Sequence, residues 1–140
     1  MSRLGRRLAF DYGDVRIGVA VCDPDGILAT PLITLASKDP QLIKNILSLV
    51  EEYQPVKIYV GNPKLLSGNE GEAVAKVKAF KVLLEASVAI PIALIDERLS
   101  TVSASKSMRS AGISAKEARL TIDQMAAVAI LEQGLSHDRE

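Results

Sequence analysis

Cysteine and histidine are scarce in this chain, which carries one of each, Cys22 and His137. A single cysteine excludes an internal disulfide, which suits a reducing cytoplasm. Cys22 lies in an apolar run and His137 in a polar tail, so a Cys-His or Ser-His nucleophile pair is excluded as well. Charge of either sign is not in excess: Lys plus Arg and Asp plus Glu each number 17, and the formal net charge is zero. This argues against a basic coat protein for nucleic acid, although a local basic face survives a zero sum. No apolar run is long enough to span a bilayer, and no basic-plus-apolar leader opens the chain. Internal repeats, low-complexity tracts and long linkers are missing too. What is present is 48% hydrophobic residues over 140 positions, the content expected of one folded domain covering 1–140. A cytoplasmic protein without membrane contact is expected.

The hydrophobic pattern changes period along the chain. Leu8 to Val21 reads as two strands joined by a turn at Asp11-Tyr12-Gly13-Asp14. Asp23-Pro24-Asp25-Gly26 is a second turn, and Ile27 to Leu35 a third strand, which Pro31 assigns to a sheet edge. Asp39-Pro40 then opens a helix in which Leu42, Ile43, Ile46, Leu47 and Val50 recur at helical spacing, and Pro55 ends it. Ile58 to Val60 is a short buried strand. Ala73, Val77, Phe80 and Leu84 mark a second helix, and Pro91 to Ile95 a further strand that stops at Asp96-Glu97-Arg98. Ser100 or Thr101 caps a third helix ending near Gly112, and a last helix carries Ile122, Ala126, Ala129 and Ile130 on one stripe. The order predicts an α/β protein with a five-stranded mixed sheet, a three-strand antiparallel meander plus two parallel strands, with helices on both faces.

Three acidic residues stand out against this frame. Asp11 follows the apolar strand Leu8-Ala9-Phe10, and Glu97 follows Ile92 to Ile95. If those strands are parallel, both carboxylates lie at the carboxyl edge of the sheet, where open α/β folds bind ligands. Asp123 borders an apolar stripe with Ala127 and Ile130, and Ala126 and Ala127 are small enough for close approach to the sheet. Carboxylates gathered at one edge repel one another. Divalent cations relieve this, since Mg²⁺ takes oxygen ligands and keeps waters that serve as nucleophile. Two ions about 3.5–4 Å apart stabilise both oxygens of a phosphodiester displacement. Each acid also has a plain structural reading. Asp11 could be a turn residue, and Asp96-Glu97-Arg98 a local ion pair. Asp123 could sit early in a helix starting at Thr121, with Gln124 completing a capping box. Their joint placement favours a metal site.

Phe10-Asp11-Tyr12-Gly13 with Arg16-Ile17-Gly18-Val19-Ala20 resembles the opening motif of the YqgF/RuvX family, pre-16S rRNA nucleases related to Holliday-junction resolvases. The resemblance continues through Asp23-Pro24, Pro31-Leu32, Val60-Gly61, Gly68 and Gly71. It is strongest at Asp96-Glu97-Arg98-Leu99-Ser100-Thr101 and Asp123-Gln124-Met125-Ala126-Ala127. It implies a ribonuclease H-like fold, a Mg²⁺- or Mn²⁺-dependent nuclease, and Asp11, Glu97 and Asp123 as the acidic catalytic and metal-binding set. It also implies structured RNA (pre-16S rRNA, within a pre-ribosomal particle) or branched DNA as partner. Gly61-Asn62-Pro63 departs from the family, which has an apolar residue between Gly and Pro.

Arg16 and Arg98 lie beside the acids. They either grip substrate phosphate through a bidentate fork or neutralise Asp14 and Asp96. Lys76, Lys78 and Lys81 read as a solvated helix face. Two rival classes differ from a nuclease. An ATP-handling enzyme of the actin and sugar-kinase type needs two such domains, and 140 residues supply one. A non-catalytic RNA- or protein-binding factor has no use for the intact acidic set. A monomer or weak homodimer is expected.

Overall fold

The computed structural model describes residues 5–62, 71–96 and 115–139. Strands β1 (Arg7–Tyr12), β2 (Arg16–Cys22) and β3 (Ala29–Ala36) form an antiparallel meander. Helix α1 (Leu42–Tyr53), β4 (Lys57–Asn62), α2 (Glu72–Ser87), β5 (Ile92–Asp96) and α3 (Ala115–Arg139) follow. β4 pairs parallel with β1 and β5 parallel with β4, giving one five-stranded sheet in the order β3-β2-β1-β4-β5. The expected meander and parallel half are both present. The helix expected between Ser100 and Gly112 lies outside the described residues.

Local chemistry explains where elements begin. The Asp23 carboxylate accepts the backbone N–H groups of Ile27 and Leu28 at 2.7 and 2.8 Å, and Gly26 takes φ 68°. Those donors are thereby lost to a ladder, so β3 starts at Ala29 rather than at Ile27. The N–H groups of Leu28 and Ile27 hold the Asp23 carboxyl below its ordinary pKa. Pro31 does fall on an edge strand, opposite Ala20, beside a register shift between Val19 and Ala20. Asp39 receives the Gln41 N–H on its side chain (2.8 Å) and the Leu42 N–H on its carbonyl (3.0 Å). The Asp39-Pro40 signal therefore marks a turn that feeds α1 at Leu42. Leu42 and Ile46 are buried, whereas Leu47 is 40% exposed and outside the expected stripe. α1 ends where Gln54 adopts φ 50° before Pro55. In α2 the inward residues are Val74, Val77, Phe80 and Leu84, so Val74 takes the place expected of Ala73.

Strand alternation sends large and small side chains to opposite faces. Leu8, Phe10, Ile17, Val19, Ile58 and Val60 meet Leu42 and Ile46 of α1 and Val77, Phe80 and Leu84 of α2. Ala9, Ala20 and Cys22, with Tyr59 and Ile95, meet Ala127, Ile130, Leu131 and Leu135 of α3. The small residues let α3 approach closely. A Cβ built on Gly134 would lie 2.7 Å from three atoms of the Tyr59 ring.

The end of α3 is clasped to the amino edge of the sheet. Asp138 Oδ2 accepts from Arg7 Nη1 (2.7 Å), Lys57 Nζ (2.7 Å) and the Tyr59 hydroxyl (2.5 Å), and Arg7 also donates to the Tyr59 oxygen. An anion at a helix C-terminus is disfavoured by the helix dipole, so it needs such donors. Burial and the Asp138 hydrogen bond push the Tyr59 phenol up to about 12. For Asp138, burial opposes the charge. The hydrogen bonds from Lys57 and Tyr59 and the Lys57 and Arg7 charges outweigh it, and hold the carboxyl below its ordinary value.

A lowered folded-state pKa adds stability above the unfolded value, about 3.9, and that stability is lost as pH falls through the folded value. Asp138→Asn should cost about 3 kcal/mol at neutral pH, because it strands the charge of Arg7. It should also flatten the loss of stability below pH ~4. Urea unfolding across pH checks both, and identical acid limbs in the two proteins would contradict the clasp.

Candidate active site at the carboxyl edge

Asp11 is the penultimate residue of β1 and alternates with Ala9, so it lies on the α3 face at the carboxyl end. Its cross-strand partner is Gly18. A Cβ on Gly18 would fall 1.9 Å from the Asp123 carbonyl oxygen and 2.9 Å from the Gln124 nitrogen. The α3 backbone thus rests directly on β2 at Gly18, one strand spacing, about 4.8 Å, from β1. Asp11 and Asp123 are therefore brought to the same end and the same face of the sheet. An isolated glycine inside a strand pattern is the sequence signal for such an approach, and Gly18 is the residue that reading by carboxylates alone passes over.

Asp123 lies well inside α3, which begins at Ala115, so it does not sit early in a helix starting at Thr121. Gln124 completes no capping box; its amide donates to Thr34 Oγ1 on β3 at 3.0 Å. Glu97 directly follows Asp96, the last residue of β5, and Glu97 and Arg98 lie outside the described residues.

Arg16 does not neutralise Asp14. Its Nε donates to Asp123 Oδ2 at 2.6 Å, with the arginine side chain 36% and the aspartate 21% exposed. Asp14 is instead taken by Lys76 at 2.8 Å, and Lys76 also meets Glu72 at 3.2 Å. Lys76 therefore ties α2 to the β1–β2 turn, while Lys81 pairs with Glu85 along its own helix at 2.9 Å, as a solvated face does. The hydrogen bonds to Asp14 and then Glu72 raise the Lys76 pKa. Beside Arg16 a pocket of about 420 Å³ opens between β3 and α3, lined by Thr34, Leu35, Ala36 and Gln124. Asn62, the family departure, ends β4 opposite Asp96. It is buried, and its Oδ1 has no partner among the described residues. It alternates with Ile58 and Val60, so it faces α1 and α2 rather than Asp11.

Among the described residues no cluster of three or more His, Cys, Asp or Glu side chains is set to hold a metal ion. Asp11 and Asp123 at this end of the sheet carry hard carboxylate oxygens, a chemistry that a hard divalent cation accepts with water and phosphate completing its shell. No helix among the described residues is long and apolar enough to cross a membrane.

A mixed sheet in this order, three antiparallel strands followed by two parallel ones beneath a long final helix, is the ribonuclease H-like fold. The fold of Thermus thermophilus RuvC, solved in complex with a Holliday junction substrate, matches with TM-score 0.61 at 17% identity, covering 96% of each chain. The RuvX family model, described as Holliday junction resolvase, matches residues 5–137, and the chain belongs to that family. A Streptomyces avermitilis relative is 50% identical over 139 residues, covering 98% of this chain and 89% of its own. One from Rhodococcus erythropolis is 46% identical over 134 residues, covering 91% and 76%. Both carry the name "Putative pre-16S rRNA nuclease". The family is one of nucleases that hydrolyse phosphodiester bonds.

Gly18→Ala tests the close approach. The methyl group meets helix backbone, which cannot yield as a side-chain tip would, so the cost should be about 3 kcal/mol, the upper end for overpacking. An unchanged urea midpoint would mean that α3 does not rest on β2 at this point.

Proposed function

We propose that this chain is a divalent-metal-dependent endonuclease that trims the 5′ end of precursor 16S ribosomal RNA in the cytoplasm, on a pre-ribosomal particle, as a monomer or weak homodimer. The observation that supports the reading is the seat of α3 at Asp123 on Gly18, the cross-strand partner of Asp11. In this reading Asp11, Glu97 and Asp123 hold Mg²⁺ or Mn²⁺. The metal supplies an activated water and charge neutralisation at the phosphate. The rest falls to the chain. The β1–β2 ladder fixes the Asp11 backbone at the carboxyl end of the sheet, so its carboxylate starts from that edge. Asp123 is fixed by a helix anchored at its far end through Asp138. Arg16 and Arg98 grip phosphate oxygens of the substrate. The half-buried edge keeps part of the water away and strengthens each of these contacts.

A second reading, cleavage of branched DNA, is favoured by the resolvase description of the family model. The two separate in one assay: cleavage of precursor 16S RNA, a four-way DNA junction and plain duplexes, at matched salt because phosphate contacts make affinity steeply salt-dependent. We expect the precursor RNA to be cut preferentially.

Asp11→Asn should lower cleavage by about a hundredfold or more, exceeding the loss typical of groups that only support a metal ligand. The fold should persist, and the metal-free melting temperature should hold or rise as carboxylate repulsion is relieved. Full activity of Asp11→Asn at saturating Mg²⁺ would remove Asp11 from the site.

Arg98→Lys separates a phosphate clamp from a surface ion pair. Lysine keeps the charge and loses the planar fork. A clear fall in kcat/KM with an unchanged melting curve is expected. Unchanged kinetics would reduce Arg98 to an exposed partner of Asp96, a role contributing about 0–1 kcal/mol.

A further inference from the structure

The Arg16–Asp123 pair places a cation where a metal ligand is expected. Its Nε lies 2.6 Å from Oδ2, so that carboxylate oxygen is already committed to a positive charge. Arg16 is the first residue of β2, paired across the ladder with Ala36 of β3, and its side chain is 36% exposed. It also lines the pocket of about 420 Å³ beside Thr34 and Gln124, so there is room for the guanidinium to move away from Asp123 without unpacking the core. The backbone of Asp123, by contrast, is pinned on Gly18. Of the two partners, the arginine is the one free to move.

We propose that Arg16 is an exchangeable counter-ion: it neutralises Asp123 before metal enters, then releases it to the metal and turns to a phosphate of the nucleic acid. This rests on the assignment of Asp123 as a metal ligand. The physical case is competition for one carboxylate. A divalent ion beside Asp11 and Asp123 repels a guanidinium 2.6 Å from the same oxygen and weakens the pair. The freed guanidinium, with its forked N–H donors, then needs an acceptor, and a phosphate diester at the same edge supplies one with matching geometry. Metal and substrate therefore help each other to bind. Metal releases Arg16 for the phosphate, and the phosphate holds Arg16 away from Asp123. By linkage the coupling is reciprocal: nucleic acid must raise metal affinity by the factor by which metal raises nucleic-acid affinity. The arrangement also keeps the Asp123 charge opposed in the empty enzyme.

The experiment is a binding cycle that needs no turnover. Mn²⁺ binding to the full chain is measured by electron paramagnetic resonance, alone and with a four-way junction or precursor RNA made uncleavable by backbone modification. For the native protein, nucleic acid should tighten Mn²⁺ binding by about fivefold or more, the lower range of allosteric coupling. Arg16→Met removes the competitor, so Mn²⁺ alone should bind several-fold tighter while nucleic acid binds more weakly, and the coupling should fall to what direct metal–phosphate contact supplies. Arg16→Lys keeps the charge without the fork and should fall between. Circular dichroism melting confirms that each variant is folded. Mn²⁺ affinity that is unchanged or weaker in a folded Arg16→Met, or coupling undiminished by the substitution, overturns the exchange. Asp123→Asn is the separate control. If it leaves Mn²⁺ binding intact, the metal-ligand assignment fails, and the exchange fails with it. If it abolishes binding while Arg16→Met changes nothing, only the exchange fails.

Discussion

The contact on which the site depends is backbone against backbone: the Asp123 peptide of α3 lying over Gly18 of β2. No side chain can occupy that space. The face beneath α3 is correspondingly built of small residues, Ala9, Ala20 and Cys22 on the strands and Ala126 and Ala127 on the helix. The opposite face carries Leu8, Phe10, Ile17 and Val19 beneath α1 and α2. On β1 and β2 the sheet thus has a face of large apolar side chains and a face of small ones, and the small one lets the α3 backbone lie against β2. Polar contacts anchor the helix at two further points, Asp123 and Asp138.

Those two anchors are not alike. From Asp123 to Asp138 the helix rises about 22 Å, nearly the depth of the sheet. At the amino edge Asp138 is held by Arg7, Lys57 and Tyr59, all buried or half-buried, an arrangement that fixes the helix along its axis. At the carboxyl edge Asp123 meets a single, more exposed arginine. The strong clasp is remote from the proposed chemistry and the weak one is within it. The more buried anchor and the more exposed one thus sit at different points along one helix.

The fold was legible in the sequence because its signals are local. Helical and strand periods, Asp23-Pro24-Asp25-Gly26, Pro31 and Pro55 each act within a few residues, and each appears in the structure where expected to within a residue or two. The displacements have local causes too, as when the Asp23 carboxylate takes the donors of Ile27 and Leu28 and delays β3. The placement of Asp11 and Asp123 at one end of the sheet was legible only by inference from sheet order, since nothing near either residue reports the other. Partners chosen across the fold were not legible. Arg16 could be assigned to Asp14 by proximity in the chain, yet the sheet face directs it to Asp123, and Lys76 arrives from α2 to take Asp14 instead. The Arg7–Lys57–Tyr59–Asp138 clasp was hidden for the same reason, its only hint being two cations at the heads of apolar strands.

The outermost strand also bears on how copies of this chain meet in solution. β3 forms one rim of the sheet, and midway along it sit Pro31 and the register shift opposite Val19 and Ala20. A rim of regular unpaired N–H and C=O groups is a template on which another extended chain can zip. Here proline removes a donor, and the irregular register twists the rim out of plane, so neither half of the eight-residue strand offers an unbroken row. The flank of the meander is thus a poor template for strand pairing between copies of the chain.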